Sequence, residues 1–167
     1  MSDQTEWMMQ RRSLEGDACP VARSLNVIGD WWSLLIIRDA LSGMRRFGEF
    51  QQNTGIAKNI LTARLRKLVE HGVLKVAPAS DGSAYQEYVL TDKGRALHTV
   101  IVAIWQWGAS FAFSPQEVKP ALIDRQSGQQ ITPIEVRAKS GQLVEPGDAT
   151  TGRKGRLDGV ARAARRR

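Results

Sequence analysis

Apolar residues recur at helical spacing early in the chain and predict three helices. A short helix is predicted over 20–28, with proline in its first turn and glycine just past its end. Asp30 can cap a second helix over 31–41, which is apolar on nearly all sides and is therefore expected at the centre of the domain. A third, shorter helix is predicted over 46–53.

The next segment, 59–72, has one apolar side and one polar, cationic side. Three leucines, Leu61, Leu65 and Leu68, fall on one face at helical spacing. The opposite face is small and polar, and it consists of Asn59, Ala63 and Arg66, with Lys58 and Thr62 beside them. This pattern predicts a helix that uses one face for the core and leaves the other for a partner.

Two strands and one long helix are predicted after this segment. Strands over 73–77 and 85–90 flank a loop that contains the turn dipeptide Asp81-Gly82. From Thr91 a single helix of about five turns is predicted, ending at Ser114-Pro115. Two short β-like runs, each ending in Ser-Gly, follow residue 120.

Positive charge is concentrated in two places. The chain has 24 Lys and Arg against 17 Asp and Glu, for a net charge of +7. Seven basic residues and one acid lie in 153–167, and eight basic residues and three acids lie in 38–75. Clustering of this kind favours a polyanionic partner over simple solvation of scattered side chains.

The order of these elements predicts a winged helix-turn-helix, a mainly α fold with a small β-wing and here a short C-terminal β-hairpin extension. In that fold the fourth helix enters the major groove of double-stranded DNA, and the strand pair forms the wing. The predicted DNA contacts lie ahead of the fourth helix, along it and at the wing tip: Arg45, Arg46, Lys58, Asn59, Thr62, Arg64, Arg66, Ser80, Asp81, Gly82 and Ser83.

Short motifs spread over residues 19 to about 110 strengthen this interpretation. They are Cys19-Pro20, Ile28-Gly29, Trp32, Leu34-Leu35, Arg38-Asp39, Arg46-Phe47, Leu61-Thr62, Arg64-Leu65, Gly72, Tyr88 and Leu90-Thr91-Asp92-Lys93-Gly94. Together they closely resemble the HxlR-type winged helix transcriptional regulators of bacteria. The resemblance implies a homodimer, joined through the first helix and the helix after the wing, that binds an inverted-repeat operator and usually represses.

The residues expected at that dimer interface form an apolar stripe on the two helices: Val21, Leu25, Leu97, Val100, Ile101, Ile104, Trp107 and Phe111.

Four parts of the chain are predicted. Residues 1–18 form a flexible arm, 19–114 the DNA-binding and dimerisation domain, 115–148 the extension, and 149–167 a disordered basic tail.

The sequence departs from the family pattern in two places. Ala57 stands where the family often has serine at the start of the recognition helix, so Thr54 or Asn53 is considered as an alternative cap. The extension resembles a small zinc ribbon, but serine replaces cysteine in 126–128 and 138–141. Because structural zinc requires several thiolate or imidazole ligands, no metal and no cofactor are expected.

Cys19 is the only cysteine, which excludes an intramolecular disulfide and fits a reducing compartment. In some members of the resembled family the corresponding cysteine senses oxidants. Packing at the dimer interface is the favoured interpretation, because cysteine is among the most frequently buried residues. Loss of peroxide or diamide sensitivity in Cys19→Ser favours sensing instead.

The tryptophans Trp31, Trp32 and Trp105 raise the possibility of a pocket for a small aromatic effector between the helices. Packing in the core and interface is the favoured interpretation, since large aromatic residues dominate such contacts.

Other functional classes fit poorly. The chain has no paired acids, metal-ligand motif, phosphate loop or nucleophile motif that predicts an enzyme. It also has no apolar run of the roughly 18 residues that predict a membrane span and no apolar signal-peptide core, so a cytoplasmic protein is expected. The alternative function is non-specific nucleic-acid binding through the basic tail.

Overall fold

The computed structural model describes residues 14–151 and has the predicted winged helix-turn-helix architecture. Its elements follow one another in this order: α1 (Pro20–Ile28), α2 (Trp31–Leu41), α3 (Phe47–Thr54), α4 (Lys58–Glu70), β1 (Leu74–Pro78), β2 (Gln86–Leu90), α5 (Asp92–Arg95) and α6 (His98–Phe111). The chain divides into two compact units, with the boundary between Pro115 and Gln116.

The core of the first unit is built around α2, as predicted from its nearly all-apolar sequence. Ile36 and Ile37 of α2 are fully buried, and α2 packs against α1, α3, α4, α6 and β2. The leucines of α4 complete this core together with Phe50 of α3; they are Leu61, Leu65 and Leu68. Because one face of α4 is committed to the core, the opposite face is left at the surface.

The described part of the predicted N-terminal arm is a folded turn next to α1. The Leu14 N–H donates to Asn26 Oδ1 at 3.2 Å, and the Asp17 N–H donates to the Leu14 carbonyl at 3.1 Å. Residues 14–18 are therefore more ordered than the arm predicted over 1–18. Residues 1–13 lie outside the described part of the chain.

The helix starts confirm one predicted cap and exclude two others. Asp30 caps α2, because its carboxylate accepts a hydrogen bond from the Ser33 N–H at 2.9 Å. At α4 the N-cap is Ala57, which offers no side-chain cap. The alternatives Thr54 and Asn53 are both wrong, because Thr54 bonds to the Phe50 carbonyl and Asn53 to Asp39.

The long helix predicted from Thr91 is two helices, α5 and α6. The Leu97 N–H donates to the Gly94 carbonyl at 3.1 Å, a tight i to i−3 turn that separates them. Gly94 packs so closely on the preceding turn that an added Cβ would lie 2.2 Å from the Val73 carbonyl oxygen. This contact places α5 against the turn that follows α4, and α6 begins at His98.

The second unit is less regular than the β-hairpin predicted over 115–148. Among the described residues it has two isolated antiparallel bridges, Ile123↔Gln130 and Arg137↔Leu143, instead of continuous strands. Each bridge closes a turn whose glycine has a positive φ, 69° at Gly128 and 86° at Gly141. Most side chains here are exposed, so the segment has no apolar face to hold two strands in register.

Where a zinc ribbon has a cysteine knuckle, this unit has a turn held by hydrogen bonds to Asp124. Asp124 accepts from the Gln126 N–H at 3.2 Å and from the Ser127 hydroxyl at 2.5 Å. These hydrogen bonds hold the pKa of Asp124 below its usual value, and the bond from the Ser127 hydroxyl contributes most. Within residues 14–151 no three His, Cys, Asp or Glu side chains group together as metal ligands.

Candidate DNA-binding surface

The solvent face of α4 consists of the residues predicted to enter the major groove. Lys58, Asn59, Thr62, Ala63 and Arg66 are all exposed, on the side away from the buried leucines. Arg66 makes a loose ion pair with Glu70, 3.6 Å between Nε and Oε1, and both side chains are largely in solvent. Such an exposed pair contributes little and leaves the guanidinium available to a partner.

The turn before α4 sets the direction from which this face is presented. Gly55 adopts a left-handed conformation, φ 68°, that closes α3 through a bond from its N–H to the Gln51 carbonyl. Ile56 then inserts into the core, where 2% of its surface is exposed. A left-handed glycine followed by a buried apolar residue fixes the entry of the chain into α4.

Arg64 occupies a different position from the other predicted contacts. Its Nε lies 3.0 Å from Asp30 Oδ1, an ion pair whose alignment falls short of a hydrogen bond, and its side chain is mostly buried. Asp30 also accepts from the Ser33 hydroxyl at 2.7 Å. Arg64 therefore joins the recognition helix to the start of α2, and it is not on the exposed face with Arg66.

A second buried carboxylate holds α3 in place. Asp39 of α2 is 2% exposed and accepts from Arg38 Nε at 2.8 Å and from Asn53 Nδ2 at 2.9 Å. Its backbone carbonyl accepts from the Met44 N–H at 3.1 Å. Since buried charge is tolerated only when it is paired and hydrogen-bonded, this network fixes α3 relative to α2.

The wing is a two-stranded antiparallel sheet that pairs Leu74 with Leu90 at one end and Pro78 with Gln86 at the other. It is tied to the start of α3 by a bond from the Tyr88 N–H to the Arg45 carbonyl at 2.8 Å. Glu49 also accepts from the backbone N–H groups of Arg45 and Arg46, at 2.7 and 2.8 Å. These hydrogen bonds place both arginines between the wing and the helix-turn-helix.

Glu87 is a buried acid on the wing that the sequence analysis missed. Its carboxylate is 3.7 Å from Arg45 Nη1 and 3.7 Å from Arg46 Nε, and it accepts from the Ser80 hydroxyl at 3.1 Å. On β2 it lies on the opposite face from Tyr88 and Leu90, which pack against the core, so alternation predicts an outward side chain. Its burial had no local signal, because it depends on the arginines that come from another element.

The wing tip places Asp81 against Arg46. The Arg46 Nη2 donates to Asp81 Oδ2 at 2.5 Å, and Gly82 turns the chain with φ 75°. Hydrogen bonds from Ser83 and from Arg46 hold the pKa of Asp81 far below its usual range, and the pKa of Arg46 is raised chiefly by the hydrogen bond to Asp81. At neutral pH the tip therefore carries a charged pair, in which Asp81 partly neutralises a predicted phosphate contact.

Tyr85 is a further exposed side chain at the wing that was not predicted as a contact. It is 71% exposed, and the Arg46 guanidinium lies 6.0 Å from its ring centroid. The ring therefore lies next to one of the predicted DNA contacts. Together with the exposed Ser80, Asp81 and Gly82, and with Ser83, whose hydroxyl is buried, it forms the wing end of the candidate surface.

The predicted dimer stripe divides into two groups. Leu97 and Ile101 are partly buried against the core of their own chain. The other members are exposed on α1 and α6: Val21, Leu25, Val100, Ile104, Trp107 and Phe111. Trp107 and Phe111 stack against each other with ring centroids 5.8 Å apart, so α6 presents a broad apolar face.

Cys19 and the tryptophans of the predicted effector pocket lie on or next to α1, α2 and α6. Cys19 is the exposed N-cap of α1, and its N–H donates to Asp17 Oδ1 at 2.8 Å. Trp31 is 73% exposed and meets Trp32 edge to face at 6.0 Å, while Trp105 is half-buried. A cavity in the first unit is lined by residues of α1, α5, the turn after α4 and the start of α6, and none of the three tryptophans lines it.

Comparisons with known proteins agree with this architecture. The HxlR-like helix-turn-helix family model matches residues 27–116. The uncharacterised HTH-type transcriptional regulator Rv3095 of Mycobacterium tuberculosis is 36% identical over 140 residues, which span 76% of this chain and 87% of the relative. No helix within residues 14–151 has the length and apolar character needed to cross a bilayer.

Two solved structures extend the comparison. PA1607, described as a candidate transcription factor, is 54% identical with a TM-score of 0.81, and the match covers 85% of this chain and 99% of that one. The redox regulator HypR in its oxidised form is 32% identical with a TM-score of 0.51, and it covers 55% of this chain and 96% of its own. The first similarity includes part of the second unit; the second is confined to about half of the chain.

Proposed function

Because this chain belongs to the HxlR-like helix-turn-helix family, we propose that it regulates transcription as a homodimer that binds an inverted-repeat operator and represses. The observation that carries the proposal is the exposed face of α4 beside a wing. Asparagine can pair bidentately with adenine, arginine with guanine, and Ala63 allows close approach to the groove. Action on chromosomal DNA also fits a cytoplasmic location.

The start of α4 supports phosphate binding next to this face. Ala57 supplies no side-chain cap, so the first backbone N–H groups of the helix, beginning near Lys58, have no hydrogen-bonding side chain at the N-cap. The N-terminus of a helix carries partial positive charge and favours a phosphate oxygen. A missing cap therefore suits a helix end that meets the DNA backbone.

The exposed apolar face on α1 and α6 supports dimerisation. Large contiguous apolar patches on a folded domain mark interaction sites, and the same patch on two copies can form a two-fold interface. A two-fold dimer presents two recognition helices to two half-sites, so its operator is expected to be an inverted repeat.

The experiment that tests the function is a footprint and a mobility shift with the intergenic DNA next to the gene. A specific regulator is expected to prefer its operator over random duplex by roughly 10³ or more at physiological salt. Two protected half-sites separated by about one helical turn are expected. Equal affinity for all duplexes favours the alternative, a non-specific nucleic-acid-binding or architectural protein.

The ion pair at the wing tip leads to a prediction about non-specific affinity. Removing Arg46 is expected to weaken binding to all sequences alike and to make the salt slope shallower by about one unit, because a phosphate contact is lost. Asp81→Asn is expected to strengthen binding to all duplexes, because it releases Arg46 and removes a negative charge that faces DNA. Both are measured by salt titration of operator and random duplex.

The matched control is Asp92→Asn, which removes an exposed, arginine-paired carboxylate from α5. Its affinity for either duplex is expected to stay within about twofold, since an exposed pair contributes little. Weaker binding by Asp81→Asn at one operator position only contradicts this role and makes Asp81 a base contact.

Relief of repression by a redox signal is the second candidate element of the function. The observation in its favour is that Cys19 is exposed, together with similarity to a protein described as a redox regulator. Cys19→Ser distinguishes the two roles. Sensing predicts that hydrogen peroxide or diamide releases the wild-type protein from DNA and leaves the variant bound, whereas packing predicts no release of either.

A further inference from the structure

A cavity of about 280 Å³ lies at the junction of α1, the turn after α4, α5 and the start of α6. Four apolar side chains line it: Val27, Ile28, Val73 and Leu97. Val73 and Ile28 belong to the buried core, so this part of the lining is fixed by packing. The cavity lies just below the usual size range of ligand sites, about 300 to 1,000 Å³, which suits a small ligand.

Ser24 and two cations, Arg23 and Lys93, complete the lining. Lys93 Nζ donates to the His71 carbonyl at 2.7 Å, and Arg23 Nε donates to the Asp17 carbonyl. Within residues 14–151 neither side chain forms an ion pair with a carboxylate. Two positive charges without acidic partners, beside four apolar side chains, complement a small organic anion.

We propose that this cavity binds an effector that has a carboxylate group and a compact apolar body of one or two rings. The carboxylate takes charge-assisted hydrogen bonds from Arg23 and Lys93, and the apolar body lies against Val27, Val73 and Leu97. This site differs from the one predicted around Trp31, Trp32 and Trp105. Its effect on DNA rests on the proposed function, whereas the binding of the anion does not.

The position of Lys93 couples the cavity to the recognition helix. His71, whose carbonyl accepts from Lys93, is the C-cap of α4, and the Val73 N–H donates to the Leu68 carbonyl of α4 at 2.8 Å. A cation at the C-terminus of a helix is favoured by the negative end of its dipole. A carboxylate in the cavity competes for Lys93 and withdraws this cation, so the end of α4 is held differently when the effector is bound.

Binding of the anion and of the operator are therefore linked, and each lowers the affinity for the other by the same factor. The Gly94 contact with the Val73 carbonyl makes this coupling direct, because α5 cannot move without moving the turn that ends α4. The effector thus acts as an inducer that releases the protein from DNA.

The test of the site is a methyl NMR titration of the full chain with 2-naphthoate, in the absence of DNA. Shifts are expected first at the methyl groups of Val27, Ile28, Val73 and Leu97. The neutral analogue 2-naphthalenemethanol is expected to bind at least about tenfold more weakly, because it has no negative charge to pair with the two cations and offers one acceptor oxygen instead of two. Equal affinity for the alcohol, or shifts centred elsewhere, overturns the proposal.

Substitutions in the lining test which side chains bind the anion. Lys93→Gln and Arg23→Gln are each expected to weaken 2-naphthoate by about tenfold, since each removes one charged hydrogen bond. Val27→Phe is expected to prevent binding by filling the cavity. The control Lys139→Gln removes a lysine of the second unit that does not line the cavity, and it is expected to bind like wild type. A near-native spectrum for each variant checks the fold, and equal affinity of Lys93→Gln and wild type overturns the proposal.

Operator binding tests the coupling to DNA separately from the binding of the anion. In the wild type, 2-naphthoate is expected to lower operator affinity by the same factor by which operator DNA lowers the affinity for 2-naphthoate, and Lys93→Gln is expected to lose most of this effect. Full cavity binding with no change in operator affinity overturns the coupling. Absence of any operator preference without ligand instead overturns the proposed function, while the NMR result still decides the anion site.

Discussion

Replacing Trp107 with aspartate is expected to convert the protein from a dimer to a monomer that no longer binds its operator. Trp107 is 64% exposed on the apolar face of α6, where its ring lies beside that of Phe111. In the proposed dimer the new carboxylate would be buried without a cation, at a cost of several kcal/mol. A cost of about 3 kcal/mol weakens dimerisation by more than a hundredfold. Ile104→Asp is expected to act in the same way.

Sedimentation velocity over a concentration series measures this effect, with a mobility shift on the same samples. The control is Val118→Asp, which places the same charge at an apolar residue that is 93% exposed and not part of the stripe. That variant is expected to remain a dimer with full affinity. An unchanged dimer for both Trp107→Asp and Ile104→Asp assigns the interface to another surface.

Replacing Asp30 with alanine is expected to destabilise the first unit by roughly 3 kcal/mol, the sum of a lost helix cap and a broken, mostly buried ion pair. Asp30 caps α2 through Ser33 and lies 3.0 Å from Arg64 of α4. Its loss leaves Arg64 without its counter-charge and frees the helix start at the same time. Chemical denaturation monitored by tryptophan fluorescence measures the change.

Two variants separate these contributions. Asp30→Asn keeps a capping oxygen and removes the charge, so it is expected to recover about 1 kcal/mol of the loss. Asp92→Ala removes an aspartate whose side chain is 99% exposed and is expected to change stability by less than about 0.5 kcal/mol. If Asp30→Ala is as mild as Asp92→Ala, Asp30 does not join α2 to the recognition helix.

The features that follow from local chain physics could be predicted from the sequence. The leucine spacing of Leu61, Leu65 and Leu68 defined the exposed face of α4, and that face is found with the same residues. Asp30 was identified as a cap because a carboxylate before an apolar run satisfies free N–H groups. The wing followed from two apolar runs around Asp81-Gly82.

The remaining features depend on pairs of residues far apart in the chain. Arg64 is one of several arginines in its segment, and its separate role becomes visible only when Asp30 lies beside it. Arg46 meets Asp81 across the space between α3 and the wing, so its partial neutralisation has no local signal. The break between α5 and α6 follows directly after the close contact of Gly94 with Val73, and helical periodicity cannot predict a contact between residues so far apart in the chain.

Competition binding at fixed salt, with three changes compared, decides whether the exposed face of α4 selects the operator sequence. Asn59→Ala and Arg66→Ala are each expected to cost about 1 to 3 kcal/mol on the operator and to relax preference at particular base pairs. Deletion of residues 153–167, which hold seven basic residues, is expected to lower affinity for all duplexes and to leave the preference in place. If the deletion abolishes operator preference while both alanine variants retain it, α4 does not read the groove and the protein is a non-specific binder.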